Sequence, residues 1–222
     1  ETIENANEIF VDAKGQNTGK SFYELFVDPV LKRQPQVEAT SQLSSVPKVE
    51  VKRLYDFNNF IIYGKDKTGK TSLLYKLMIE MLNSFTQLGE IPFYIDLNEY
   101  KVSFKGLDIE KLFSRYIEHS SQGAKNILNT YNVKILIDNF DPNKTEILQI
   151  LSTFFSTYKR CRYVIVADQT LAQSYEKVDF GLNRYQKLFI HDISRSEIRQ
   201  LTKKWPNIPD TKQDEFIDKI NG

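Results

Sequence analysis

Apolar positions along the middle of the chain alternate between two periods. Runs that are apolar at nearly every position, Phe60 to Tyr63, Ile91 to Leu97, Val133 to Ile137, Tyr163 to Ala167 and Leu188 to Ile190, predict buried strands. Between them the apolar residues recur at helical spacing. Leu73, Leu77, Met78, Met81 and Phe85 predict one helix, with Gly89 placed to stop it. Ile109, Phe113, Tyr116 and Ile117 predict a second, 124–131 a short third, and Ile147, Leu151, Phe154 and Phe155 a fourth. Asn143 and Glu146 are spaced as the reciprocal cap of that last helix. Strands apolar on both faces, alternating with helices, predict an α/β fold: a parallel sheet flanked by helices.

The flanks are less regular. Ile9-Phe10-Val11 reads as a short strand or one helical turn, and Asp28-Pro29 should break or restart a helix between Ser21 and Arg33. Gln34 to Val49 is polar and reads as a loop or linker. After the last strand, Ser194-Arg195-Ser196-Glu197 is a capping box opening a helix to Trp205. Pro206 and Pro209 enclose a turn, and Asp210 to Ile220 is a final helix. This tail has no strands, so it reads as the start of a small helical subdomain. The expected division is 1–50 as an N-terminal segment, 51–190 as the core, and 191–222 as the helical start.

Composition narrows the function little. At 222 residues the chain can bury a sizeable core. Its 30 basic and 29 acidic residues nearly cancel, so bulk charge indicates neither nucleic acid nor a membrane surface. The lone Cys161 excludes an internal disulfide and suits a reducing, cytoplasmic setting. With only His119 and His191 beside it, the ligands for a zinc site are lacking. No apolar run approaches the roughly 20 residues of a membrane span, and no signal peptide is visible. The chain opens on Glu1 and stops at Asn221-Gly222 straight after a helical pattern, so a piece of a longer protein is expected.

The specific chemistry lies at Gly64-Lys65-Asp66-Lys67-Thr68-Gly69-Lys70-Thr71-Ser72, between the first strand and the first helix. This is G-x-x-x-x-G-K-T in the strand–loop–helix context that a phosphate-binding loop requires. Gly64 and Gly69 let the backbone wrap phosphate oxygens, and the helix N-terminus adds partial positive charge. Lys70 neutralises the β and γ phosphates, while the Thr71 hydroxyl ligates Mg²⁺. Lys65 and Lys67 either add phosphate attraction or are solvated. A second Gly-rich stretch, Gly15 to Ser21, has only three residues between its glycines and no strand before it, and reads as a turn. Asp138, at the tip of an apolar strand, is the carboxylate expected to hold Mg²⁺ with Thr71. Asp141 is a candidate to orient or deprotonate an attacking water, although an aspartate before Pro142 is also an ordinary turn residue. The small-GTPase pattern is missing, since position 141 is not glycine and Asn143-Lys144-Thr145-Glu146 follows the wrong strand; adenine is the expected base. Lys159, Arg160 and Arg162 fall at the far end of the sheet and read as solvated charges.

In order, GKDKTGKTSLL, IPFYIDL, ILIDNFD, YVIVAD and LFIHDISRSEIRQL resemble the nucleotide-binding module of STAND NTPases, specifically the NACHT-like bacterial members. The resemblance covers about residues 51–222. It implies that Lys70 and Thr71 hold phosphate and Mg²⁺, that Asp138 helps hold Mg²⁺, and that Asp141 activates water. It further implies a slow ATPase whose ADP and ATP states gate self-association and an effector. Effector and sensor domains would lie outside this chain, and several bacterial members act in antiviral defence. Many relatives carry an arginine at the end of the fourth strand, where this chain reads Val166-Ala167-Asp168-Gln169; Gln169 is the residue placed to make part of that contact. The alternatives are a module that binds nucleotide without hydrolysing it, which the missing arginine favours, and an AAA-type motor.

Overall fold

The computed structural model describes residues 24, 26–35, 47–56, 58–100, 106–171, 185–193 and 195–204. The expectations for 9–11, 15–21, the cap at 194 and 205–220 lie outside the described residues. Six strands form one sheet: β1 (Val30–Lys32), β2 (Asn59–Gly64), β3 (Glu90–Asp96), β4 (Asn132–Phe140), β5 (Cys161–Asp168) and β6 (Tyr185–His191), in the order β1-β6-β2-β5-β4-β3. From β6 to β3 every neighbouring pair is parallel. The α-helices of the described residues include α1 (Lys70–Asn83), α2 (Phe85–Leu88), α3 (Ile109–Tyr116), α4 (Ser121–Thr130), α5 (Thr145–Thr157) and α6 (Arg195–Lys204). By compactness Leu31–His191 forms one unit, and Glu1–Val30 with Asp192–Gly222 another. In that second unit Lys204 Nζ donates to Phe26 O at 2.5 Å, while Ile198 and Thr202 are buried on α6.

Period-two alternation sorts the central strands into two faces. Ile61, Tyr63, Phe93, Ile135, Ile137 and Ile165 share one core with Phe113 of α3, Leu128 of α4, and Ile147 and Leu151 of α5. Each such side chain, fully removed from water, contributes roughly 1.5–3 kcal/mol before entropy is counted. The opposite face carries Phe60, Val164, Leu136 and Tyr94 in register, and α1 packs across β3, β4 and β5 there. Helix α1 inserts Leu73, Leu74, Leu77, Met78 and Met81, all buried, so both methionines are core residues. Its helical run breaks at Ser84, and Gly89 at φ 62° caps the short α2 that follows.

Three local expectations are corrected. Of the two outcomes expected at Asp28-Pro29, a restarted helix is overturned: after Pro29 the chain enters strand β1, whose Leu31 bridges to Val49. Strand β4 runs two residues past Asp138 to Phe140. Helix α5 begins at Thr145 with Lys144 in the cap position and no side-chain cap bond, because the Asn143 N–H is taken by Asp141 Oδ1 at 2.9 Å. Competition between a local Asx bond and a helix cap decides this boundary.

One polar group anchors the amino-terminal end of the sheet. Lys134 on β4 is fully buried, and its Nζ donates to Leu54 O at 2.8 Å and Asp56 O at 2.7 Å. It also ion-pairs with buried Glu90 at 3.5 Å. Burial lowers the Lys134 pKa and raises that of Glu90, with each partner opposing the other's shift. The 3₁₀ turn Val51–Tyr55 that leads into β2 is thereby pinned to the sheet.

Candidate functional site

Because β2 to β6 are parallel, their carboxyl-terminal tips share one edge, the end at which ligands bind in open α/β sheets. Gly64 ends β2 at this edge, and Lys65 to Gly69 turn directly into α1. Two residues of the turn take left-handed backbone, Lys67 at φ 58° and Gly69 at φ 82°. Glycine is needed at 64 for a different reason: a Cβ there would sit 2.5 Å from Thr68 Oγ1, 3.2 Å from Lys70 Cγ and 3.3 Å from Ile190 Cδ1. At Gly69 a Cβ would meet nothing within 4 Å, so the space beside it is open. Thr68 Oγ1 donates to Lys65 O at 2.9 Å, and the Lys67 N–H donates to Asp66 Oδ1 at 2.9 Å. These bonds close the turn on itself.

Lys70 folds back into the loop. Its Nζ donates to Gly64 O at 2.9 Å and Lys65 O at 2.5 Å. Among the described residues no carboxylate is ion-paired with it. The amine is thus presented by neutral carbonyls. The N-cap of α1 is Gly69, which has no side chain to satisfy the first helical N–H groups. A curled loop, a half-buried ammonium and an uncapped helix start together favour an anion. Thr71 and Ser72, half-buried, form the first turn of α1. Lys65, Asp66 and Lys67 are exposed around the rim.

Asp138 is reached from another direction. It lies on β4, and β5 separates β4 from the loop strand β2. Its side chain is 1% exposed, yet both oxygens are bonded: Oδ2 accepts from Tyr94 Oη at 3.1 Å, and Oδ1 accepts from the Asn139 N–H at 2.8 Å. Asn139 stands at φ 56°, where the β4–β5 register slips between Ile137 and Phe140. This bulge turns the Asn139 side chain toward β3, where Nδ2 donates to Asp96 Oδ1 at 2.8 Å. Asp96 pairs in register with Asp138, so two carboxylates stand side by side at adjacent strand tips. Asp141 is half-buried just beyond; its Oδ1 holds the turn through Asn143, and no protein partner for Oδ2 is found among the described residues.

The tip of β5 lies between these two halves. Asp168 is in register with Gly64, and its Oδ1 accepts from Thr170 N at 2.8 Å and Thr170 Oγ1 at 2.6 Å. The Thr170 hydroxyl hydrogen bond holds this carboxyl below its usual pKa, and the Lys70 charge adds to the effect. The neighbouring Gln169 Oε1 is buried without a hydrogen-bond partner.

The geometry is that of a P-loop α/β domain. The sequence matches no protein-family model, and no curated protein matches it. Among solved structures it is similar to domain III of the replication initiation protein DnaA from Thermotoga maritima, at 16% identity over 76% of this chain and 71% of that one, TM-score 0.49. The Aeropyrum pernix ORC1 protein in complex with DNA is 15% identical over 69% of this chain and 47% of that one, TM-score 0.48. AMPPCP-bound DnaA from Aquifex aeolicus is 15% identical over 76% of this chain and 54% of that one, TM-score 0.44. This chain therefore spans about half the length of the last two. The chemistry of the site rests on its own residues.

Among the described residues no group of three or more His, Cys, Asp or Glu could hold a metal, and no helix is long and apolar enough to cross a membrane. Among the described residues a dedicated protein cage for a cation is therefore lacking. The donors here, one hydroxyl and one buried carboxylate, instead suit Mg²⁺, which binds through one or two protein oxygens with phosphate and water completing its shell. Lys159, Arg160 and Arg162 lie at the opposite end of the sheet, where Arg162 Nη1 donates to Lys159 O and Cys161 O. Tyr94, Asp96, Asn139 and Asp168 escaped the sequence reading. The available signal was the period of β3, which puts Tyr94 and Asp96 on the face of whichever strand tip pairs with them.

Proposed function

We propose that this chain is a Mg²⁺-dependent ATP-binding domain that hydrolyses nucleotide slowly and serves as a switch. The observation that carries the reading is the Lys70 amine, held by two loop carbonyls at an uncapped helix start, with no carboxylate ion-paired to it among the described residues. Gly64 to Ser72 would cradle the phosphates, Lys70 would exchange its carbonyl contacts for phosphate oxygens, and Thr71 with Asp138 would hold the ion. When bound, Mg²⁺ supplies charge neutralisation on the phosphate oxygens. Asp141 would orient water through Oδ2. The STAND-type assignment, control of self-association and of an effector outside this chain, a cytoplasmic setting and a role in bacterial antiviral defence belong to the same proposal and rest on the sequence resemblance.

The test is equilibrium binding of a fluorescent ATP analogue with Mg²⁺ present. Lys70→Ala should abolish binding, and unchanged affinity in that variant rejects the reading. A second reading, nucleotide held as a structural ligand without hydrolysis, is favoured by two observations. Asp141 already spends one oxygen on its turn, and β5 ends in a Thr170-locked aspartate where related switches have an arginine. Single-turnover hydrolysis separates the two: wild type faster than Asp141→Ala supports the switch, and equal inertness supports the structural ligand.

A further inference from the structure

The Asp138 carboxylate cannot orient itself, because it sits on a bulged strand tip beside another carboxylate. Two groups hold it, and only one of them is a side chain. Tyr94, which pairs with Leu136 two register positions before Asp138, reaches diagonally along the shared face so that its hydroxyl donates to Oδ2. The ring of Tyr94 in turn lies against Tyr75 of α1, with centroids 5.2 Å apart. Tyr75 follows Thr71 by four residues, so the two stand on one face of α1, a turn apart. Continuous side-chain contact therefore runs from the helix that carries Lys70 and Thr71, through Tyr75 and Tyr94, to Asp138. This connection joins α1 to β4 by way of β3, whereas β5 keeps β2 and β4 from touching directly.

We propose that Tyr94 is a positioning residue for the metal carboxylate. Its hydroxyl fixes which Asp138 lone pairs face the ion, and its ring, seated on Tyr75, keeps the carboxylate in step with Thr71. Burial and the Asp138 charge both raise the Tyr94 pKa, so the phenol stays a proton donor throughout the neutral range. The inference rests on the Mg²⁺-nucleotide reading above. It adds that the metal-dependent part of nucleotide affinity passes through a tyrosine that touches neither metal nor phosphate.

The test uses this chain and the fluorescent ATP analogue, titrated once in EDTA and once against increasing Mg²⁺. Tyr94→Phe removes the hydroxyl and keeps the ring. Affinity in EDTA should stay within about twofold of wild type, while the Mg²⁺ concentration for half-maximal enhancement rises about tenfold, the factor a hydrogen bond to a charged group is worth. In an Asp138→Asn background the same change should add nothing further, since the group it serves is gone. Tyr75→Leu should shift the Mg²⁺ requirement in the same direction by a smaller factor. Equal Mg²⁺ dependence in Tyr94→Phe and wild type overturns the proposal. So does an equal loss in EDTA and in Mg²⁺, the mark of a purely structural role, or full additivity with Asp138→Asn. A wild type that binds the analogue neither with nor without Mg²⁺ overturns the nucleotide reading and this inference together. A wild type that binds with Mg²⁺ while Tyr94→Phe is indistinguishable from it overturns this inference alone.

Discussion

Gly64→Ala tests the loop at its tightest point. The added Cβ would lie 2.5 Å from Thr68 Oγ1, closer than such atoms approach, and within 3.3 Å of both Lys70 Cγ and Ile190 Cδ1. The threonine hydroxyl cannot simply swing aside, because it is bonded to Lys65 O at 2.9 Å. Either that bond breaks or the strand tip shifts. Overpacking of this kind costs about 1–3 kcal/mol, and the lost hydrogen bond about 0.5–1.5 kcal/mol; together these put the expected loss at about 3 kcal/mol. Urea denaturation with linear extrapolation measures it. Thr68→Ala alone should cost about 1 kcal/mol through the same hydrogen bond. The double variant should then cost less than the sum by at least about 1 kcal/mol, because removing Oγ1 makes room for the new Cβ. Under the proposed function, Gly64→Ala should also weaken nucleotide binding, since the Lys70 stem is displaced with the loop. If the two single losses add within about 0.5 kcal/mol, steric crowding between positions 64 and 68 is refuted.

Two further variants probe the frame that holds the site. Lys134→Met leaves Glu90 buried without its partner and the carbonyls of Leu54 and Asp56 without a donor. Denaturation should show a loss of about 3–5 kcal/mol, largely recovered by adding Glu90→Leu; a single-variant loss below about 1 kcal/mol refutes the anchoring role. Burial pushes the Cys161 thiol up to about 12 from its ordinary 9.0. The unfolded chain therefore releases this proton first as pH rises, and stability falls through the window from about 9 to 12 by up to about 1.4 kcal/mol per pH unit. Cys161→Ala should flatten that part of the profile. Identical slopes in variant and wild type between pH 9 and 10.5 refute the assignment.

Strands β2 to β6 and the long helices between them were legible because each relies on one apolar period that nothing local contests. The loop was legible because Gly64, Gly69, Lys70 and Thr71 act within nine consecutive residues. What stayed hidden depends on pairing between distant segments. Tyr94 and Asp96 meet Asp138 only through the β3–β4 register, and Asp168 meets Gly64 only because β5 inserts between β2 and β4. The role of Lys134 is hidden in the same way, because its acceptors are backbone carbonyls about 80 residues earlier. The reciprocal cap at Asn143 and Glu146 failed for the opposite reason: the motif was present, but a nearer acceptor, Asp141, claimed the amide first.

Strand order also sets the electrostatics of the proposed switch. With β5 between the loop strand and the metal strand, Asp168 stands beside the space where phosphate would bind. Thr170 holds its carboxylate with two hydrogen bonds and helps keep it ionised at neutral pH. Lys70 is close enough to lower the Asp168 pKa, yet it donates to loop carbonyls and leaves the carboxylate unpaired. An incoming phosphate thus exchanges two neutral acceptors for a charged one, and charge-assisted bonds are roughly twice as strong. The same phosphate also meets the negative charge of Asp168, which relatives with an arginine at this tip would not impose. The attraction that favours binding and the repulsion that opposes charge build-up come from adjacent strand tips. In an ATPase that must hold its nucleotide longer than it must turn it over, that arrangement favours retention over speed.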